Sequence, residues 1–141
     1  MSAECFLDTN VLVYAAAGRG AEEGKRKRAL ELIENEDVCL SAQVLQEFFV
    51  TVVRRIAVPL RVETALEWIE ALEAFPCASI DSSLVKIAAE LSLRYHISYW
   101  DAAIIAAADT LGARTVYSED LSDGQTYGRV QVRNPFHRGV D

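Results

Sequence analysis

Cysteine is scarce in this chain and badly placed for cross-linking. Cys5, Cys39 and Cys77 are odd in number, show no C-x-x-C spacing and each falls in a short apolar segment, which excludes a disulfide framework and predicts reduced core residues. Long hydrophobic runs are missing too. No stretch approaches the ~20 apolar residues of a membrane-spanning helix, and the N-terminus has no basic segment followed by an apolar one, so a cytoplasmic protein without membrane association is expected. Positive charge is in deficit: the formal net charge is −7 and the pI about 4.8. That excludes wrapping of nucleic acid by bulk electrostatics, though not a protein whose acids gather cations. Basic residues cluster only as "KRKR" (Lys25 to Arg28) and as Arg54–Arg55. Either cluster can be a solvated helix face or a set of phosphate contacts.

What is abundant is apolar surface. Hydrophobic residues make up 51% of the 141 residues, enough for the core of one domain spanning 1–141 and for a subunit interface besides. Short apolar runs at 5–8, 38–41, 77–80, 115–118 and 130–132 alternate with helical periodicity over 22–35, 42–56, 62–74, 82–95 and 99–111. Strands apolar on both faces and separated by helices predict a parallel sheet covered on both sides, a three-layer α/β domain with right-handed crossovers. Ser41 is placed to cap the helix opening at Ala42, Gly112 follows the helix ending at Leu111, and 123–128 reads as a turn-rich loop.

Ligands of open parallel sheets bind beyond the carboxyl ends of the strands, so acids at those ends are the candidates for chemistry. Asp8 closes the first strand and is either a turn or cap residue or part of a site. Glu47 lies on the helix after the second strand, on one face with Gln43, Thr51 and Arg54. Asp101 stands three residues after Ser98, in a capping-box arrangement that could satisfy first-turn amides, at a helix end that faces the same sheet edge. Asp120 follows the fourth strand, behind Ser118 and Glu119. Each has a structural explanation by itself. A sheet order that sets strands one and four side by side would bring Asp8, Asp101 and Asp120 into one cleft, where like charges raise one another's pKa unless cations bind. All these candidate ligands are oxygen donors, and His96 and His137 lie outside the segments that carry them. Such a set suits Mg²⁺ or Mn²⁺ rather than zinc, and a site of this kind activates water for phosphoryl displacement.

Four stretches carry a resemblance over nearly the whole chain: "FLDTNVLVYA" (6–15), "SAQVLQEFF" (41–49), "YHISYWDAAIIAAA" (95–108) and "VYSEDLSDGQTYGRVQVRNPF" (116–136). In this order and spacing they resemble the PIN-domain ribonucleases, and more narrowly the VapC toxins of bacterial toxin–antitoxin pairs. The resemblance implies a parallel five-stranded sheet ordered 3-2-1-4-5 and Mg²⁺- or Mn²⁺-dependent cleavage of single-stranded or looped RNA. It matches Asp8, Glu47 and Asp101 to a core acidic triad and Asp120 to a fourth acid. Thr9, Asn10 and Ser118 match supporting polar positions. Glu119, next to Asp120, leaves open which of the two faces the metal. The resemblance further implies a homodimer and a cognate VapB-type antitoxin, for which residues 43–60 are the candidate contact. Arg54 and Arg55, as a local basic pair, are candidate RNA contacts.

Two other classes compete. A phosphoaspartyl phosphatase of the haloacid-dehalogenase type wants an aspartate where Asn10 stands, and a receiver domain wants a lysine at the end of a late strand, whereas lysine occurs only at 25, 27 and 86. A catalytically inactive PIN-like interaction module would keep the fold without the chemistry, and the complete acidic set argues against it.

Overall fold

The computed structural model describes residues 3–136 of the chain, so His137 lies outside the described residues. The strands are short: β1 (Cys5–Leu7), β2 (Val38–Ser41), β3 (Cys77–Ala78), β4 (Thr115–Tyr117), β5 (Thr126–Tyr127) and β6 (Val130–Arg133). They form one sheet in the order β3-β2-β1-β4-β6-β5. The first five in that order are parallel neighbours, and β5 pairs antiparallel with β6 at the edge. The expected fifth strand is thus β6, in its expected place, and a two-residue strand is added beyond it. The addition comes from the segment read as a loop, where Gly128, at φ 61°, opens a two-residue hairpin turn that asks for glycine at that position.

Every residue of β1 and β2 is buried, as expected for central strands covered on both faces. The helices are α1 (Thr9–Ala17), α2 (Glu23–Asn35), α3 (Ala42–Val50), α4 (Val62–Leu72), α5 (Ser82–Tyr95) and α6 (Tyr99–Thr110), with a 3-10 turn at Gly20–Glu22 and a π turn at Thr51–Arg55. Chain direction across the sheet reverses at β1: β2 and β3 build out on one side, β4 and β6 on the other. With right-handed crossovers this reversal puts α1 to α4, which connect β1, β2 and β3, on one face and α5 and α6 on the other, and opens a crevice at the carboxyl ends of β1 and β4. In α6, Ala102 to Ala108 are all buried. Five alanines and two isoleucines let that helix lie close to both the sheet and α5.

Three expectations change. Helix α1 had no place in the periodic pattern, because the sequence from Val11 to Ala17 is apolar on every side. The helix expected over 42–56 becomes α3 followed by the π turn. Cys77 is exposed while Cys5 and Cys39 are buried, because Cys77 sits on an edge strand of two residues. Burial pushes the Cys5 and Cys39 thiols up to about 12, so both are inert at neutral pH. The other boundaries follow their chemical signals: the Ser41 hydroxyl accepts from Val44 N–H at 3.3 Å, and Gly112 takes φ 78° beyond α6.

Gly18 sets how closely α1 approaches α2. A Cβ built there would stand 2.8 Å from the Tyr14 carbonyl oxygen and 3.1 Å from that of Glu22, and backbone cannot yield as a flexible side chain can. Gly18→Ala is therefore expected to destabilise the protein by about 2 kcal/mol through overpacking, read as a lower urea midpoint with an unchanged slope. An unchanged midpoint would show that the α1–α2 junction tolerates a methyl group.

Candidate active site

Asp8 continues β1 by one residue, its N–H donating to the Tyr117 carbonyl at 3.0 Å. The residue is only 8% exposed. One carboxylate oxygen accepts the Thr9 N–H at 2.7 Å, capping α1, and the other accepts the Ser118 hydroxyl at 2.8 Å. Burial pushes the Asp8 pKa from 3.8 up to about 6, against the lowering effect of these two bonds and with the charges of Glu47 and Asp120 adding to the rise. The Ser118 oxygen in turn accepts the N–H groups of Asp120 and Leu121, each at 3.1 Å. One hydroxyl thus joins the buried acid to the turn after β4.

The other acids are held by neutral donors. Glu47, exposed on α3, accepts from the Thr9 hydroxyl at 2.7 Å and from Gln43 Nε2 at 3.3 Å. Asp120 accepts from Asn10 Nδ2 at 3.1 Å, while Asn10 Oδ1 accepts the Glu119 N–H at 3.1 Å. Asp101 lies in the first turn of α6, where its N–H is capped by the Ser98 hydroxyl at 3.1 Å. Only that half of the expected capping box forms, and among the described residues the Asp101 carboxylate accepts no hydrogen bond. Its link to the other acids runs through Gln43, whose amide also reaches the Trp100 carbonyl at 3.4 Å.

The structure therefore brings Asp8, Glu47 and Asp120 together with Thr9, Asn10 and Ser118, and sets Asp101 at the neighbouring helix end. A cavity of about 440 Å³ opens over the group, lined among others by Thr9, Asn10, Glu47, Arg55, Glu119 and Asp120. Arg54 is not on it. The π turn is the reason: its wider turn carries the face begun by Glu47 and Thr51 round to Arg55, one residue later than an α-helix would. Lys25, counted with a basic run, pairs instead with Glu119, which also accepts from Tyr14 OH at 2.5 Å. This Glu119 contact holds the Lys25 pKa above its ordinary range. No local pattern marks Lys25 or Tyr14 as site residues, since their partner lies far along the chain.

Among the described residues the four expected acids have no basic partner; the ion pairs join Lys25 to Glu119, Arg26 to Glu23, Arg61 to Glu63 and Arg129 to Asp109. The donor set, carboxylates with hydroxyl and amide oxygens, fits a hard divalent cation by its chemistry. The side chains are not yet arranged around one: among the described residues no three His, Cys, Asp or Glu side chains stand ready to hold a metal ion. The carboxylates of Asp8, Glu47 and Asp120 each accept hydrogen bonds from neutral donors, whereas among the described residues that of Asp101 accepts none.

The raised Asp8 pKa has a consequence for stability. The folded protein binds a proton at Asp8 that the unfolded chain has released once the pH exceeds about 4, so the metal-free protein should lose stability as pH rises from about 4 to about 6. The loss from this one group is on the order of 3 kcal/mol. Asp8→Asn, which cannot ionise, should lack it. In urea unfolding with EDTA the variant's advantage over the wild type should therefore grow across that window; parallel pH profiles would show that Asp8 is not the titrating group.

Comparison with known proteins places this geometry. The PIN domain family model matches residues 5–122. Among solved structures, VapC20 of Mycobacterium tuberculosis, a sarcin-ricin-loop-cleaving toxin, is similar at 21% identity and a TM-score of 0.65, over 83% of this chain and 90% of that one. A toxin–antitoxin complex from Klebsiella pneumoniae is similar at 18% identity and a TM-score of 0.70, over 94% and 98%. DNA-bound VapBC from Salmonella typhimurium gives 16% and 0.63, over 96% and 99%. A search of curated proteins finds no match. At these identities the solved structures speak to the fold, and the family match covers the acid-bearing segments from β1 to the turn after β4: the chain belongs to the PIN domain family.

Proposed function

We propose that this PIN domain is a Mg²⁺- or Mn²⁺-dependent endoribonuclease that cuts single-stranded or looped RNA as the toxin of a toxin–antitoxin pair. The observation that carries the reading is the buried Asp8 carboxylate, coupled to Glu47 and Asp120 and without a basic partner among the described residues. Asp8, Glu47, Asp101 and Asp120 would hold the cation. Thr9, Asn10 and Ser118 would orient the carboxylates, as their hydrogen bonds already do. When bound, the cation supplies neutralisation of phosphoryl charge and activation of the attacking water. Arg55, on the cavity wall, is placed to meet a phosphate of the incoming strand.

The toxin role is supported by the fold shared with VapC20 and with the Klebsiella and Salmonella toxin–antitoxin complexes. A VapB-type antitoxin is the partner proposed here, along residues 43–60, where Val50 and Val58 are exposed. A homodimer acting in the cytoplasm and a single domain over 1–141 complete the reading. Among the described residues no helix is long and apolar enough to cross a membrane. A non-catalytic interaction module is the second reading, and the complete acidic set argues against it.

One assay separates the two. Purified protein incubated with total RNA, with mapping of new 5′ ends, should cut with Mg²⁺ or Mn²⁺ and stop in excess EDTA. Asp8→Asn should lower cleavage by orders of magnitude while leaving the metal-free fold as stable or more so, since it removes a strained charge. Cleavage undiminished by EDTA would sink the metal-dependent reading, and no cleavage under any condition would favour the interaction module.

RNA affinity should also fall with salt at constant Mg²⁺ despite the net charge of −7, and Arg55→Ala should flatten the log–log slope by about 1. An unaltered slope would remove Arg55 from the substrate path.

A further inference from the structure

Two adjacent acids, Glu119 and Asp120, line the same cavity, but they are treated in opposite ways. Lys25 Nζ pairs with one oxygen of Glu119, Tyr14 OH donates to the other at 2.5 Å, and Lys25 also reaches Tyr14 OH at 3.3 Å. The ammonium stands 4.9 Å from the Tyr14 ring centroid and 5.8 Å from that of Phe136. Those two rings pack edge to face at 5.0 Å. The Lys25 and Glu119 side chains are 37% and 26% exposed, so the pair is less screened than one in open solvent.

Asp120 has no such compensation. Asn10 binds its carboxylate and the Glu119 N–H, and Ser118 binds its own N–H. The backbone at 118–120 is thereby pinned from the Asp8 side, while the Glu119 side chain is drawn toward α1 and α2. A free Glu119 would bring a further negative charge and two more oxygen donors to the cluster. Divalent ions would bind more tightly, at positions that water and phosphate need.

We propose that Lys25, acting with Tyr14, is a positioning residue that withdraws Glu119 from the acid cluster and leaves Asp120 as the fourth carboxylate of the site. This rests on the metal-dependent reading above and deepens it, by assigning the choice between neighbouring acids to a side chain on α2.

Two arms test it. In EDTA, the urea midpoints of Lys25→Met, Glu119→Gln and the double variant should be non-additive, the double losing less than the two single losses together, because both changes remove one pair. In the second arm Mn²⁺ is titrated calorimetrically without RNA. Lys25→Met should bind it about tenfold more tightly than wild type, the double variant should return to the wild-type value, and Glu119→Gln alone should leave the affinity unchanged. With RNA, kcat should fall in Lys25→Met and recover in the double variant at constant KM. Additive losses in EDTA, or an Mn²⁺ affinity unmoved by Lys25→Met, would make Lys25 a structural staple and overturn the assignment alone. A raised KM that Glu119→Gln does not relieve would make it a direct phosphate contact and overturn it as well. A wild-type chain that binds no Mn²⁺ would overturn the metal-dependent reading and the assignment together.

Discussion

A carboxylate is buried at the end of an apolar strand, and the arrangement around the site follows from keeping it there. Removing Asp8 from water is costly, and no basic residue among the described ones offsets that cost. The amino end of α1 and the Ser118 hydroxyl offset it in part. Ser118 can do so only because β4 lies beside β1 in register, Leu7 against Tyr117. Strand pairing, helix start and the turn after β4 are therefore tied to one side chain.

The same economy extends outward. Thr9 caps Glu47, Asn10 holds Asp120 together with the backbone beside it, and Gln43 spans from Glu47 to the start of α6. Neutral donors orient the acids without cancelling their charge. The cavity above them carries one basic residue among its described lining, Arg55, against four acids, Glu22, Glu47, Glu119 and Asp120. A polyanion entering such a cavity meets repulsion unless cations accompany it, which is why the acid set and the proposed metal dependence belong to one argument.

The solved structures similar at 16% to 21% identity share the fold, and in this chain the framework has identifiable physical requirements. The central strands must stay apolar on both faces. α6 must stay slender enough to lie between sheet and α5, which its alanines secure. Exposed apolar residues such as Leu66, Val85 and Trp100 lie outside that framework.

By itself the sequence determined the elements whose causes are local. Runs apolar on both faces marked five strands, three- and four-residue spacing marked the longer helices, and Ser41, Ser98 and Gly112 marked helix ends. The acids at strand ends were legible for the same reason, since a polar residue closing an apolar run stands out without any knowledge of its neighbours. Helix α1 was legible only as the run that a capping Asp8 would open, because an element apolar on all sides has no periodicity to read. β5 was not, because two residues make a strand only when a partner pairs with them. The tertiary structure alone decided which side chains meet. Of the two candidate arginines it set only Arg55 on the cavity wall, through a π turn. It exposed Cys77 by placing it on the sheet edge. It took Lys25 out of an ordinary basic run and set it against Glu119, 94 positions away. Such contacts depend on strand order and crossover handedness, which act over the whole chain, whereas the signals carried by a short stretch of residues reach only as far as the next turn.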